Sequence, residues 1–176
     1  FAFSLIFFGG AGLVCWLVAE LELRGAVRLI GHLIATTLTV IGILIVWFFR
    51  DPNRKIPAGP GDVVCPADGK IVEVIEVEDE FIGGPAIQIG IFLSIFNVHI
   101  NRVPVSCRVI GLRYRAGKYL NALRPESARE NEQVAIRLEQ DDAPHRGMIV
   151  RQITGAIARR IVCDLKPGDR LASGEK

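Results

Sequence analysis

The chain has 176 residues, half of them hydrophobic, with a formal net charge of +2 and a mean hydropathy of +0.34. This length holds one well-buried core, and so small a charge, with no block of like charges and few aromatics, excludes a nucleic-acid footprint. The four cysteines, Cys15, Cys65, Cys107 and Cys163, are scattered with no C-x-x-C pair, which excludes a disulfide framework and metal-type spacing.

The hydrophobic excess lies almost entirely before Phe49. Phe1 to Ala19 carries no charge, and Leu29 to Phe49 carries none beyond the titratable His32. At about 1.5 Å per residue both stretches reach roughly the thickness of a bilayer core. Glu20 to Arg28 between them is short enough to force an antiparallel helical hairpin, transmembrane or re-entrant. Gly9, Gly10 and Gly12 are expected to let the helices approach closely. Trp47 suits an interfacial belt, and Arg50, Arg54 and Lys55 beyond it favour a cytoplasmic location for the downstream residues and can lie against anionic headgroups. His32, three residues inside the second stretch, reaches the headgroup region and reads as structural. Pro52, Pro57 and the Gly59-Pro60-Gly61 turn then end the anchor. The expected division is a membrane hairpin at 1–49, a juxtamembrane linker at 50–61 and a β-rich domain at 62–176.

From Asp62 onward short β-rich runs alternate with turns. Strands are predicted at Val63 to Pro66, Lys70 to Glu78, Ala86 to Leu93, Ser106 to Arg115, Gln133 to Glu139, Gly147 to Thr154 and Arg159 to Leu165. Seven short strands predict a mainly β fold, a barrel or sandwich. Between Cys107 and Tyr114 the apolar set shifts from odd to even positions at Gly111, which predicts a β-bulge. Arg124 to Glu132 reads as a short polar helix or loop.

Three places could carry chemistry. His99 lies in Phe92 to Pro104, flanked by apolar and amide residues with Arg102 three positions on. That setting suits a neutral imidazole near an anion, and equally a histidine satisfied by backbone at the end of a strand. Asp68 sits in the Pro66-Ala67-Asp68-Gly69 turn, where it either caps its own backbone or orients the ring of His99. His145, beside Asp141 and Asp142, reads as part of a solvated loop because no second histidine or cysteine accompanies it. No metal site is expected.

Taken together, FFRDP (48–52), PADGK (66–70), SIFNVHINRVP (94–104), YRAGKYLNA (114–122), ENE (130–132) and the closing run from Gly155 to Lys176 resemble the short prokaryotic form of phosphatidylserine decarboxylase. LKPGDRLASGE also resembles the turn-and-strand grammar of lipoyl-type β-sandwiches, which adds lipoyl-like closing strands to the expected fold. The resemblance implies an enzyme that converts phosphatidylserine to phosphatidylethanolamine. Its pyruvoyl cofactor is made when a serine in a Gly-Ser step cleaves the proenzyme, and it forms a Schiff base with the substrate amine. Asp68 and His99 match the acidic and basic members of the self-processing site, while Asn97, Arg102 and Lys118 are candidate substrate-binding residues: Asn97 positions the histidine, Arg102 either meets the substrate's phosphate or carboxylate or stands on a solvated strand end, and Lys118 either meets the headgroup or serves a tight turn. Tyr119 in the same motif is equally a buried aromatic after a turn, and Arg159 and Arg160 read as structural.

Two positions depart from the family pattern: Arg102 stands where long forms carry a second histidine, and Asn97 where many members have aspartate. No Gly-Ser dipeptide occurs in the 176 residues, so this is expected to be the β-chain portion, inactive alone, with the pyruvoyl serine beyond Lys176. The implied partners are membrane lipid, its own α chain and a second copy of itself, at the cytoplasmic side of a bacterial inner membrane. Two rivals stand beside this: a decarboxylase of an archaeal-type serine ether lipid, and a non-enzymatic membrane adaptor with a lipoyl-like β domain.

Overall fold

The computed structural model describes residues 2–21, 24–56, 59, 62–142 and 146–176. His145 and most of the Pro57 to Gly61 turn lie outside the described residues. The chain forms two compact units, Phe1–Pro52 with Phe96–His99, and Asn53–Ile95 with Ile100–Lys176.

The first unit is built on α1 (Ala2–Glu20) and α2 (Gly25–Phe48), each long and apolar enough to cross a membrane. Their contacts run antiparallel: a side chain on Gly31 would collide with Val18, Leu38 lies 3.5 Å from where one on Gly10 would sit, and one on Gly42 would come within 2.9 Å of Phe8. The close approach therefore rests mainly on the small residues of α2, with Gly31, Ala35 and Gly42 all buried. Of the three glycines expected to serve it, Gly9 and Gly12 have nothing within 4 Å of an added side chain, because a helical period points them away from the partner. Phe3, Ile6, Leu29 and Leu33 remain exposed. Thr37 and Thr39 donate their hydroxyls to the carbonyls of Leu33 and Ala35, so neither presents an unsatisfied donor on this apolar surface.

The second unit is antiparallel β. β1 (Lys70–Asp79) pairs with β2 (Gly84–Phe92), while β3 (Cys107–Arg115), β4 (Gln133–Gln140), β5 (Gly147–Ile153) and β6 (Arg170–Leu171) form a sheet in the order β5-β4-β3-β6. The register of β3 on β4 slips between Val109 and Gly111. This is the expected bulge, and its physical sense is plain. Val134, Ile136 and Leu138 alternate without interruption on β4, so β3 needs one extra residue, Ile110, to bring Leu112 and Tyr114 back onto the face that Cys107 and Val109 occupy. A second slip, between Ile71 and Glu73 on β1, left no comparable phase signal. α3 (Ser127–Glu130) is the short polar helix.

Val103, Val105, Cys107, Val109, Ile136, Leu138 and Leu171 form the core, with Cys163 and Leu165 packed against it. The segment from Arg159 to Leu165 is not a strand. Its alternation is genuine, since Ile161, Cys163 and Leu165 are half-buried while Val162 and Asp164 are exposed, but it joins no ladder. Period-two burial needs only one apolar side, whereas a strand also needs a neighbour for its N–H and C=O groups. Val63 to Pro66 fails for the same reason, with Val64 N–H bonded to the Pro104 carbonyl outside any ladder. The closing run contributes β6 alone, paired antiparallel to β3.

Cys107 is completely buried. Burial, with Asp141 and Glu175 adding to it, pushes its thiol up to about 11, so little thiolate exists at neutral pH. A thiol reagent is expected to modify exposed Cys65 rapidly and Cys107 only under denaturing conditions, as intact-mass analysis will read.

Candidate active site

His99 belongs to the first unit, where the chain returns to the end of α2 after some fifty residues. Its ring stacks on Phe48, centroids 4.2 Å apart and 29° from parallel, and its Nδ1 lies 3.0 Å from the carbonyl oxygen of Asn97. A carbonyl only accepts, so Nδ1 carries the proton and Nε2 is left as the basic nitrogen. Burial lowers the pKa of the ring, the positive charge of Arg50 acts the same way, and the Asn97 carbonyl opposes both. The net direction is down, toward a neutral imidazole at neutral pH. Asn97 thus serves the histidine through its backbone, a function any residue at that position would supply.

The loop bearing the histidine is tied to the helix end. Arg50 donates from Nη2 to the Phe96 carbonyl at 2.7 Å and from Nη1 to the Trp47 carbonyl at 2.8 Å. Trp47 Nε1–H also donates to the Phe96 carbonyl, at 3.3 Å. Sequence reasoning noticed FFRDP and SIFNVH but not their meeting, because nothing local marks a contact across 46 residues.

Asp68 belongs to the second unit, on the turn before β1. Arg54 donates to its Oδ2 from Nη2 at 2.9 Å and Nε at 3.3 Å, in a half-exposed pair. Gly69 follows because β2 passes close by: a side chain there would come within 2.6 Å of the Phe92 carbonyl. The turn is held by Pro66, whose carbonyl accepts from the Arg102 N–H at 2.9 Å and from Asn101 Nδ2 at 3.3 Å. The Arg102 side chain donates to the Gly174 carbonyl at 3.1 Å, while Val103 and the 174–175 segment exchange N–H···O bonds of 2.8 Å. Asp68 and Arg102 are therefore linked through one backbone network that also grips residues 174–175. Asp68 and His99 fall in different units, each with its own set of partners.

Lys118 lies elsewhere in the second unit. Its Nζ pairs with Glu130 at 2.7 Å, beside an open depression of ≈ 510 Å³ lined by Leu120, Arg124, Pro125, Glu126 and Glu130. Tyr119 donates to Glu132 at 2.8 Å, and Arg159 lies over its ring. The residue that sequence reasoning undervalued here is Asn131. It is wholly buried, accepts from Leu120 N–H at 2.8 Å, and donates to the carbonyls of Leu120 at 3.0 Å and Thr154 at 2.8 Å. Gly117 packs so tightly on residues 130–132 that a side chain would collide with their backbone. YRAGK and ENE are two halves of one clasp.

An apolar helical hairpin and an antiparallel β unit define the class: a β protein joined to a membrane-type hairpin, with a histidine oriented by backbone at the end of the second helix. Comparison with known proteins narrows it. The sequence matches the phosphatidylserine decarboxylase family over residues 41–176. It is 51% identical over 142 residues, 81% of this chain, to a phosphatidylserine decarboxylase proenzyme of Rhodopirellula baltica, and covers 59% of that protein. It is 43% identical to the proenzyme of Oleidesulfovibrio alaskensis, with 79% of this chain and 65% of that protein covered, and 36% identical to that of Chlorobium phaeobacteroides over 96% of this chain and 80% of that protein. The chain belongs to the phosphatidylserine decarboxylase family. It spans about three fifths of the length of the first two of these relatives.

Proposed function

We propose that this protein decarboxylates phosphatidylserine to phosphatidylethanolamine at a membrane, as the β-chain part of a self-processing proenzyme, with His99 as its base and Asp68 as the acidic member of the site. The observation that carries the reading is the state of His99. Its proton sits on Nδ1 against the Asn97 carbonyl, and burial together with the Arg50 charge favours the neutral ring, which suits a group that must take a proton from a serine hydroxyl near neutral pH.

A histidine base of this kind suits a pyruvoyl cofactor, which would supply an electron sink for the electrons left by loss of CO₂; no Gly-Ser step that could form it occurs in these 176 residues. What the present residues contribute is proton handling and placement. His99 Nε2 takes a proton during self-cleavage and returns one at the carbon that loses CO₂. Arg102 holds the backbone at Gly174. Arg54 holds Asp68 by two hydrogen bonds to Oδ2 and limits its rotation. We place residues 1–49 as the anchor, 50–61 as the linker and 62–176 as the catalytic domain, on the cytoplasmic side because Arg50, Arg54 and Lys55 come directly after the second helix. Asn97, Arg102 and Lys118 are assigned to substrate contact.

The deciding experiment is mass spectrometry of the purified full-length protein together with CO₂ release from phosphatidylserine vesicles. Two chains, one with a pyruvoyl end, and CO₂ release are expected; one intact chain that releases none sinks the proposal. An ether-linked serine lipid assayed alongside tests the substrate. Within that assay Asp68→Asn is expected to slow self-cleavage about 100-fold or more. Arg54→Met should cost less than about 1 kcal/mol of stability, since a half-exposed ion pair is worth little. A wild-type rate in Asp68→Asn removes that residue from the site.

A further inference from the structure

The contacts at the end of α2 do more than orient a ring. Trp47, Phe49 and Phe96 are 51%, 60% and 60% exposed, three large aromatics at the end of an apolar helix of 24 residues. One guanidinium bridges a helix-end carbonyl, Trp47 O, and a loop carbonyl, Phe96 O, while lying 4.5 Å over the Trp47 ring. The last carbonyls of a helix lack intrahelical partners and carry partial negative charge, so a cation there is favoured. The Trp47 indole N–H adds a second bond to the same loop carbonyl, and Phe48 stacks on His99. Four consecutive residues, Trp47 to Arg50, thus provide two separate attachments for the loop and leave aromatic surface outside.

We propose that Phe96–His99 is a membrane-contact loop, latched to the end of α2 by Arg50 and Trp47, that seats Phe96 in the phospholipid headgroup layer and holds His99 at that depth. The occupant is an anionic bilayer surface. The Trp47 indole, an aromatic ring with a polar edge, partitions to the membrane interface, Phe96 adds exposed apolar ring surface beside it, and Arg50 brings positive charge to the same level, where anionic lipid attracts it. A histidine carried on a free loop of the β unit would need to find the headgroup of each lipid. Fastened to the anchor, it stays where headgroups are. Arg50 is thus a positioning residue. The inference rests on the membrane reading of the hairpin.

The test uses the full chain in phosphatidylcholine vesicles containing a minor fraction of phosphatidylglycerol, with Cys15, Cys65 and Cys163 replaced by alanine and a spin label on Phe96→Cys. Vesicle flotation is measured first, then accessibility of the label to oxygen and to a water-soluble nickel chelate. Flotation with a label open to oxygen and shielded from nickel is the expected result. Flotation with a fully water-accessible label overturns the loop's role while leaving the anchor intact, and failure to float overturns both. Adding Arg50→Gln is expected to raise nickel accessibility severalfold and to mobilise the label. Should that variant not fold, Arg50→Lys, which keeps the charge without the fork, and Trp47→Phe, which removes only the indole donor, each report on the latch. Unchanged depth in the variants that fold shows that the latch does not set the loop's position.

Discussion

Self-cleavage of the full-length protein is expected to fall about 10²- to 10⁴-fold when His99 is replaced by alanine, the range that a positioned general base commonly contributes. The wild-type rate should also carry a signature of the ring's surroundings. Burial and the Arg50 charge both lower the pKa of His99, and the Asn97 carbonyl only partly offsets them. The basic form therefore persists to lower pH than for an ordinary histidine. The rate should rise with pH through a midpoint below about 6.5 and be level by neutral pH. Arg50→Gln should move that midpoint upward, because one of the two lowering influences is gone. Stability follows the same sign. As pH falls below the ordinary histidine value the unfolded chain takes up a proton before the folded one does, so stability present above about 6.5 is lost as pH drops toward the folded pKa. Rates of chain cleavage on denaturing gels across pH test this, and a midpoint at or above about 6.5 would contradict the neutral, half-buried ring.

Asn131→Ala is expected to cost about 3–5 kcal/mol of folding stability, a large effect for one side chain. The amide answers one N–H and two carbonyls in a site with no solvent exposure. Each backbone group left unpaired on burial costs about 1–3 kcal/mol, less where water enters the space vacated. Asn131→Asp separates hydrogen bonding from volume: it keeps the acceptor for the Leu120 N–H but turns a buried carboxylate toward the carbonyls of Leu120 and Thr154, so it should be at least as damaging at neutral pH. Gly117→Ala attacks the same clasp from its other half, since its methyl group would collide with backbone that cannot rotate aside. Chemical denaturation of the three variants measures the losses, and a change below about 0.5 kcal/mol for Asn131→Ala, within the effect of an ordinary surface substitution, would show the clasp to be dispensable.

The elements that were legible in the sequence are those whose signal is local. Two long uncharged stretches separated by nine residues give a helical hairpin regardless of the rest of the chain. The phase change at Gly111 gave away the bulge because the apolar side chains on the two sides of it must still face one core. Alternation failed at Arg159 to Leu165, where Cys163 and Leu165 do pack inward, because periodicity reports burial and is silent on whether a neighbouring strand exists. The glycines of α1 misled for a related reason: composition shows that small residues are present, but rotation about the helix axis decides that Gly31 and Gly42, rather than Gly9 and Gly12, meet the partner helix.

For the candidate site, residue chemistry alone picked out His99 and Asp68 as groups able to carry acid–base work, and a run of ordered motifs marked the family. The sequence by itself thus determined the class of chain: an apolar hairpin, a β-rich remainder, and the residue types available for catalysis. Only the tertiary structure decided how those residues are held. It put the His99 ring on Phe48 and the Asn97 carbonyl, gave Asp68 to Arg54, turned Arg102 toward Gly174, and made Asn131 the centre of a clasp. The reason is physical. Helix and strand periodicities arise between residues a few positions apart, so they are written along the chain. A guanidinium choosing a carbonyl 46 residues away is selected by where folding brings that carbonyl, and no short-range pattern records it.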